Sequence, residues 1–166
     1  MTRSRTCQEL QDSFAECRTD LAPGTIKAYG NTWELFFKCF SPTAPIETIT
    51  TEKLVEWRTS LQATKYAPAS IASYFKDIGT HLNWAVRQGW LTKNPLEGIP
   101  RGSFINRDKD RIITMEEYAK LLDACPSQEW RAIIALARIG GIRCPSELQQ
   151  LRWSDVCWEK YWFLVQ

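Results

Sequence analysis

Apolar residues in the first ninety positions recur at steps of three and four. Between residues 23 and 40 they are Ile26, Tyr29, Trp33, Phe36, Phe37 and Phe40, a spacing that lines one face of a helix and turns it inward. Pro23 suits the first turn, where its missing N–H has no intrahelical partner to lose. Weaker stripes pass through Leu10, Phe14 and Cys17 in residues 7 to 19 and through Leu54, Trp57 and Leu61 in residues 51 to 62. Each predicts a short helix. A longer one follows Pro68, where Ile71, Phe75, Ile78, Leu82 and Ala85 keep helical spacing until Gly89, with Arg87 in the last turn. A cation and then a glycine are what a helix C-terminus favours. Four helices thus fill residues 1 to 90.

The periodicity then lapses. Leu91 to Ile113 contains Pro95, Gly98, Pro100 and Gly102, followed by the charged run Arg107-Asp108-Lys109-Asp110-Arg111, which is the composition of a linker. Thr114 and Glu117 have the spacing of a capping box, and Ile113 with Tyr118 that of a hydrophobic staple, so a new helical unit starts here. It continues as a helix through Cys125, a second from Ser127 to Ile139 carrying Trp130, Ile133, Ile134 and Leu136, and a third from Pro145 to Leu151. Trp158 to Val165, aromatic and β-preferring, reads as one strand. A single strand leaves backbone donors and acceptors unpaired, so the chain is expected to stop partway through a domain. The division expected is a helical domain at 1–91, a linker at 92–112 and an incomplete second domain at 113–166.

Composition narrows the function classes. The 166 residues suffice for one domain or two small ones, and 44% hydrophobic with 24% charged residues is ordinary usage for a soluble protein. No apolar run approaches the roughly 18 residues a membrane span needs, and the charged first residues lead into no cleavable apolar segment. The expectation is a cytoplasmic protein with no membrane partner. Six cysteines lie ten or more residues apart without a Cys-x-x-Cys pair, and His81 is the single histidine. That excludes a recognisable zinc site, and the cysteines read as small hydrophobes on apolar helical faces. No metal or other cofactor is expected. The net charge of +2 means that any nucleic-acid footprint must be local rather than global.

The stretch with chemical content is Gly140-Gly-Ile-Arg-Cys-Pro-Ser-Glu-Leu-Gln-Gln-Leu-Arg-Trp-Ser-Asp155. It resembles the first catalytic box of the tyrosine recombinases, the phage-integrase family: a small residue and Gly, an apolar residue, Arg, a short gap, Glu-Leu, Leu, Arg-Trp and Asp. Residues 22 to 40 (Ala-Pro-Gly-Thr-Ile-Lys-Ala-Tyr onward) and 67 to 96 (Ala-Pro-Ala-Ser-Ile, then Trp84-Ala-Val-Arg-Gln-Gly-Trp-Leu-Thr-Lys-Asn-Pro-Leu96) look like that family's helical core-binding domain. In this order the matches cover almost the whole chain. Two departures stand out. Three residues, Cys144-Pro145-Ser146, separate Arg143 from Glu147 where the family usually has two, and Ala72-Ser73-Tyr74 replaces a typical Asn-Arg-Arg.

The resemblance implies a mainly α fold: a four-helix core-binding (SAM-like) domain, then the first helices and first strand of an α+β catalytic domain. It implies the DNA-binding part of an integrase acting in DNA integration and site-specific recombination, of the kind found in mobile elements. The complete protein would break and rejoin phosphodiesters through a 3′-phosphotyrosyl intermediate, as a tetramer on two DNA duplexes. Arg143 is the implied catalytic residue. Attack on a phosphodiester builds charge on the non-bridging oxygens, and a bidentate guanidinium matches that geometry better than an ammonium. Glu147, one turn on, is the implied partner that orients it.

The family's later lysine, His-x-x-Arg box and nucleophilic tyrosine have no counterpart here, since His81 lies in the first domain, Lys160 falls in the first expected strand rather than in a later hairpin and Tyr161 reads as sheet packing. The chain by itself is therefore expected not to cleave DNA. Candidates for contact with double-stranded DNA are Lys27, Lys65, Tyr74 and Lys76 on the helices and Arg101, Arg107, Lys109 and Arg111 in the linker, where phosphates would be tracked. Two other readings remain at this point: a non-catalytic DNA-binding remnant of an integrase, and a helical interaction module with no nucleic-acid role.

Overall fold

The computed structural model describes residues 4–99 and 110–165, and the chain divides into two compact units, Met1–Arg107 and Asp108–Gln166. The first holds four helices: α1 (Cys7–Cys17), α2 (Pro23–Phe36), α3 (Thr51–Ala63) and α4 (Pro68–Arg87). The second holds α5 (Met115–Asp123), α6 (Gln128–Arg138) and the short strands β1 (Val156–Cys157) and β2 (Trp162–Phe163). The fold is mainly helical.

Helix starts in the first unit follow from local chemistry. Thr6 caps α1 by accepting the Glu9 N–H at 3.1 Å, while the Glu9 carboxylate accepts the Thr6 N–H at 2.9 Å, a reciprocal box that satisfies two otherwise orphaned donors. Thr50 accepts from the Lys53 N–H at the start of α3. Pro23 and Pro68 occupy first turns, each preceded by an extended alanine. Gly89, at φ +72°, ends α4, a backbone conformation costly for any residue with a Cβ.

The core is organised by α4, which packs on α1, α2 and α3. Its stripe Ile71, Phe75, Ile78, Leu82 and Ala85 is buried against Leu10, Trp33, Phe36, Leu54 and Trp57, each large side chain contributing about 2 kcal/mol by leaving water. Trp57 stacks on Phe75 with centroids 4.8 Å apart. His81, on the same face, is buried between Phe14, Tyr29 and Trp33 at ring distances of 4.0, 4.9 and 5.3 Å. Its Nδ1–H donates to the Asp77 carbonyl at 2.9 Å. Ile26, expected on the inner face of α2, is exposed, because it sits in the first turn, ahead of the Thr32–Phe36 stretch that meets the core.

Residues 92–99, expected as the start of the linker, pack on the helices. Leu96 and Ile99 are buried. Asn94 donates from Nδ2 to Asn83 Oδ1 at 2.7 Å and accepts the Leu96 N–H at 2.9 Å, and Thr51 donates to the Pro95 carbonyl at 2.8 Å. These bonds hold the segment after α4 against the C-terminal half of that helix and the start of α3.

Four further expectations need correction. No α-helix spans Pro145–Leu151: the Arg143 carbonyl accepts from both Glu147 N and Leu148 N, and the bonds then shorten in span to a 3₁₀ turn at Leu148–Gln150, so no regular ladder propagates. The strand expected over Trp158–Val165 is shorter and has a partner, β2 pairing antiparallel with β1 through Val156–Phe163 and Cys157–Trp162. Tyr161 lies in the turn between them at φ +55°, 95% exposed, and packs on no sheet. Nor do the cysteines behave alike: Cys7 is buried, whereas Cys17, Cys39 and Cys144 are exposed, because each of the last three falls at or beyond the end of an element.

Burial has a titration consequence. Desolvation pushes the His81 imidazole down to about 4, against the bond to Asp77. Between pH 6.5 and about 4 the unfolded chain therefore takes up a proton that the folded chain refuses, so stability falls as pH falls, by about 3 kcal/mol in all. Urea midpoints across this window should drop with pH, and His81→Phe should remove that part of the slope. A slope unaltered by the substitution would contradict the assignment.

Candidate functional site

The approach to Arg143 is built by the end of α6. Gly140 N and Ile142 N donate back to the carbonyls of Ala135 and Leu136, curling the chain off the helix. A Cβ on Gly140 would lie 2.7 Å from the Leu136 carbonyl oxygen and 2.9 Å from the Phe163 ring, so only glycine fits there. Gly141 stands at φ +69° with open space around it, and its requirement is conformational instead. Ile142, the next residue, is buried and anchors the turn. Arg138 at the other side donates to the Ile113 carbonyl at 3.0 Å, tying the end of α6 to the start of α5.

Arg143 leaves this anchored turn for solvent, its side chain 82% exposed. Glu147 holds it twice: Oε2 accepts the Arg143 backbone N–H at 2.8 Å, and Oε1 accepts from Nη1 at 2.7 Å. Both bonds hold the Glu147 carboxyl below the usual carboxylate range, the backbone N–H contributing most. A guanidinium has five donors, and those of Arg143 that Glu147 does not take have no partner among the described residues. The arrangement presents a fixed, outward-facing cation with room for a bidentate anion.

The other predicted residues are dispersed. Lys27 is exposed on α2 and Lys76 on α4, where Asp77 adjoins it. Lys65 follows α3 at φ +60°. It precedes Tyr66, whose ring meets Tyr74 edge-on at 5.7 Å, so Lys65 and Tyr74 share one end of the α3–α4 pair. Burial, with Tyr66 and Asp77 nearby, raises the Tyr74 phenol above its usual range. Arg111 is engaged by Glu117, the carboxylate that also completes the cap of α5 by accepting the Thr114 N–H. Arg101, Arg107 and Lys109 lie outside the described residues. Within the second unit the structure brings together Arg143 and Glu147; within the first, Tyr66 rather than Lys65 is the residue that meets Tyr74.

Sequence reading missed Ile142 and the Phe163 ring as supports of this turn. The closeness of Phe163 to Gly140 has no local sequence signal, since 23 positions separate them. Two substitutions separate the glycine roles. Gly140→Ala must displace backbone or ring and should destabilise the second unit by about 2 to 3 kcal/mol, whereas Gly141→Ala should cost about 1 kcal/mol. Hydrogen exchange of amides from Leu136 to Phe163 measures both, and equal effects would refute the distinction.

Known proteins resemble this chain in sequence over its first unit and in fold. Residues 8–104 match the family model described as the phage integrase SAM-like domain. IntQ of Escherichia coli (strain K12), a protein named as defective, is 24% identical over 165 residues, covering 91% of this chain and 41% of that protein. A protein named tyrosine recombinase XerC-like, from Caldanaerobacter subterraneus subsp. tengcongensis, is 35% identical over 95 residues, covering 54% and 24%. Two solved structures share the fold, both with a TM-score of 0.75. One is a lambda integrase dimer bound to a COC′ core site, at 20% identity over 93% of this chain and 44% of that one. The other is a lambda integrase tetramer bound to a Holliday junction, at 21% identity over 94% and 44%. The chain thus spans less than half the length of these relatives. With more than half of its residues inside the matched domain, this chain belongs to the phage integrase SAM-like domain family.

Proposed function

We propose that this chain is the DNA-binding part of a site-specific tyrosine recombinase, which in its complete form breaks and rejoins DNA through a 3′-phosphotyrosyl intermediate in DNA integration and recombination. The observation that carries the reading is the phage integrase SAM-like domain over residues 8–104. The geometry of Arg143 supports it. A phosphodiester under attack accumulates charge on its non-bridging oxygens, and the donors that Glu147 leaves free on Arg143 are suited to receive two of them. Glu147 positions that side chain and takes no part in bond making. In this reading Lys27, Lys65, Tyr74 and Lys76 of the first unit contact the duplex backbone, Arg101, Arg107, Lys109 and Arg111 of the charged linker sequence are further phosphate contacts, and the complete protein works as a tetramer on two duplexes. The lambda integrase structures of the same fold, a dimer on a core site and a tetramer on a Holliday junction, favour DNA and self-association as partners.

A second reading, a DNA-binding remnant without catalysis, is favoured by the name of the Escherichia coli relative as a defective protein. A covalent protein–DNA adduct from the gene's complete product would exclude it.

Fluorescence anisotropy with a duplex tests the shared part of both readings. Binding should weaken steeply with salt, and Lys27→Ala, Lys65→Ala and Lys76→Ala should each reduce the log–log salt slope by about 1. Absence of binding at low salt would sink the proposal. An unchanged slope would remove the substituted lysine from the interface.

A further inference from the structure

Asp77 projects from α4 into its seam with α2. The Thr32 hydroxyl donates to Asp77 Oδ2 at 2.9 Å and lies 3.1 Å from the Ala28 carbonyl. Thr32 is 1% exposed and Asp77 half-buried, so the carboxylate is anchored on its inner side. Its other oxygen, Oδ1, has no hydrogen-bond or ion-pair partner among the described residues. Burial raises the carboxyl above its usual range, against the Thr32 bond and the nearby Lys76, which lower it; a charge so placed is short of donors. Tyr74, one turn earlier on the same helix, and Lys76 beside it are two of the residues assigned to the duplex.

An acid among phosphate contacts opposes them, because like charges repel. The bond to Thr32 accounts for one oxygen, and the other accepts but cannot donate. A DNA backbone offers acceptors and leaves that oxygen unsatisfied. Donors on a duplex lie on base edges, and in the major groove they are the amino groups of cytosine and adenine. Adenine carries its acceptor N7 next to that amino group, which a carboxylate avoids, whereas cytosine presents the amino group alone. We infer that Asp77 reads a cytosine, Oδ1 accepting from the N4 amino group while Thr32 fixes the orientation of the carboxylate. The inference rests on the DNA-binding reading and adds to it a determinant of sequence, which phosphate contacts do not supply.

Selection of bound duplexes from a randomised pool, followed by anisotropy on single-position variants of the selected sequence, tests this. The unsubstituted chain should require cytosine at one position, with a loss of about tenfold on each other base. In Asp77→Asn the amide oxygen can keep the Thr32 bond, which turns the amide NH₂ outward and puts a donor where an acceptor stood. Preference at that position alone should then move from cytosine to a base with an acceptor there, guanine or thymine. Replacing the same cytosine by 2-pyrimidinone, which lacks the amino group, should weaken the unsubstituted chain about tenfold but not Asp77→Asn, and this change on the DNA side decides the matter even where the variant folds poorly. Lys76→Ala, by contrast, should weaken binding to all sequences alike. A cytosine preference that survives Asp77→Asn, or binding indifferent to loss of the amino group, overturns the assignment of Asp77 and leaves the DNA-binding reading standing. Absence of any duplex binding by the unsubstituted chain overturns both.

Discussion

Burial of one face of α4 is the constraint on which the first unit depends. Ile71, Phe75, Ile78, Leu82 and Ala85 form a stripe four turns long, and α1, α2 and α3 contribute side chains to it. The stripe begins just after Pro68 and stops just before Gly89, so the helix is bounded where its buried face is bounded. His81 on this face is tolerated because it is neutral and its Nδ1–H is satisfied within the helix. Asn94 extends the same logic past the helix end, using α4 as the acceptor surface for residues 92–99. Basic residues expected to face a duplex are therefore carried on elements whose positions are fixed from behind.

The second unit rests on different physics. Its cohesion within the described residues comes from caps, the back-bonded end of α6 and a two-strand pairing rather than from a buried cluster. A bulky residue at Gly140 would collide with backbone and ring at once, and this packing is what aims the following turn. Local hydrogen bonding thus does for Arg143 what apolar packing does for the helices of the first unit.

Legibility followed the range of the forces involved. The four helices of the first unit were readable because stripe, proline and glycine all act within a few residues, and their ends, that of α2 apart, came within a turn of those expected. Phe37 to Phe40 looked helical by spacing but lie beyond α2, since a stripe records which side chains are buried and not which backbone bonds form. The capping box at Thr114 is a local motif legible from its spacing, and Thr6 with Glu9 obeys the same rule at the start of α1. The hairpin was misread as one strand, since residues Trp158–Tyr161 carry no glycine or asparagine to signal a turn, and Tyr161 adopts positive φ regardless. The match of Arg143 to a family box depended on identity and order along the chain; that Glu147 grips both the backbone and the side chain of Arg143 could only be seen in three dimensions.

That grip has a consequence for how an anion would be met. A carboxylate that holds the main-chain N–H and the guanidinium of one residue restrains the torsions between them, so the side chain arrives in solution already ordered. A long, exposed arginine ordinarily loses about 1 to 2 kcal/mol of rotamer freedom when it is immobilised on a ligand. Here much of that loss is taken during folding, and the outward donors form a template set before any phosphate is present.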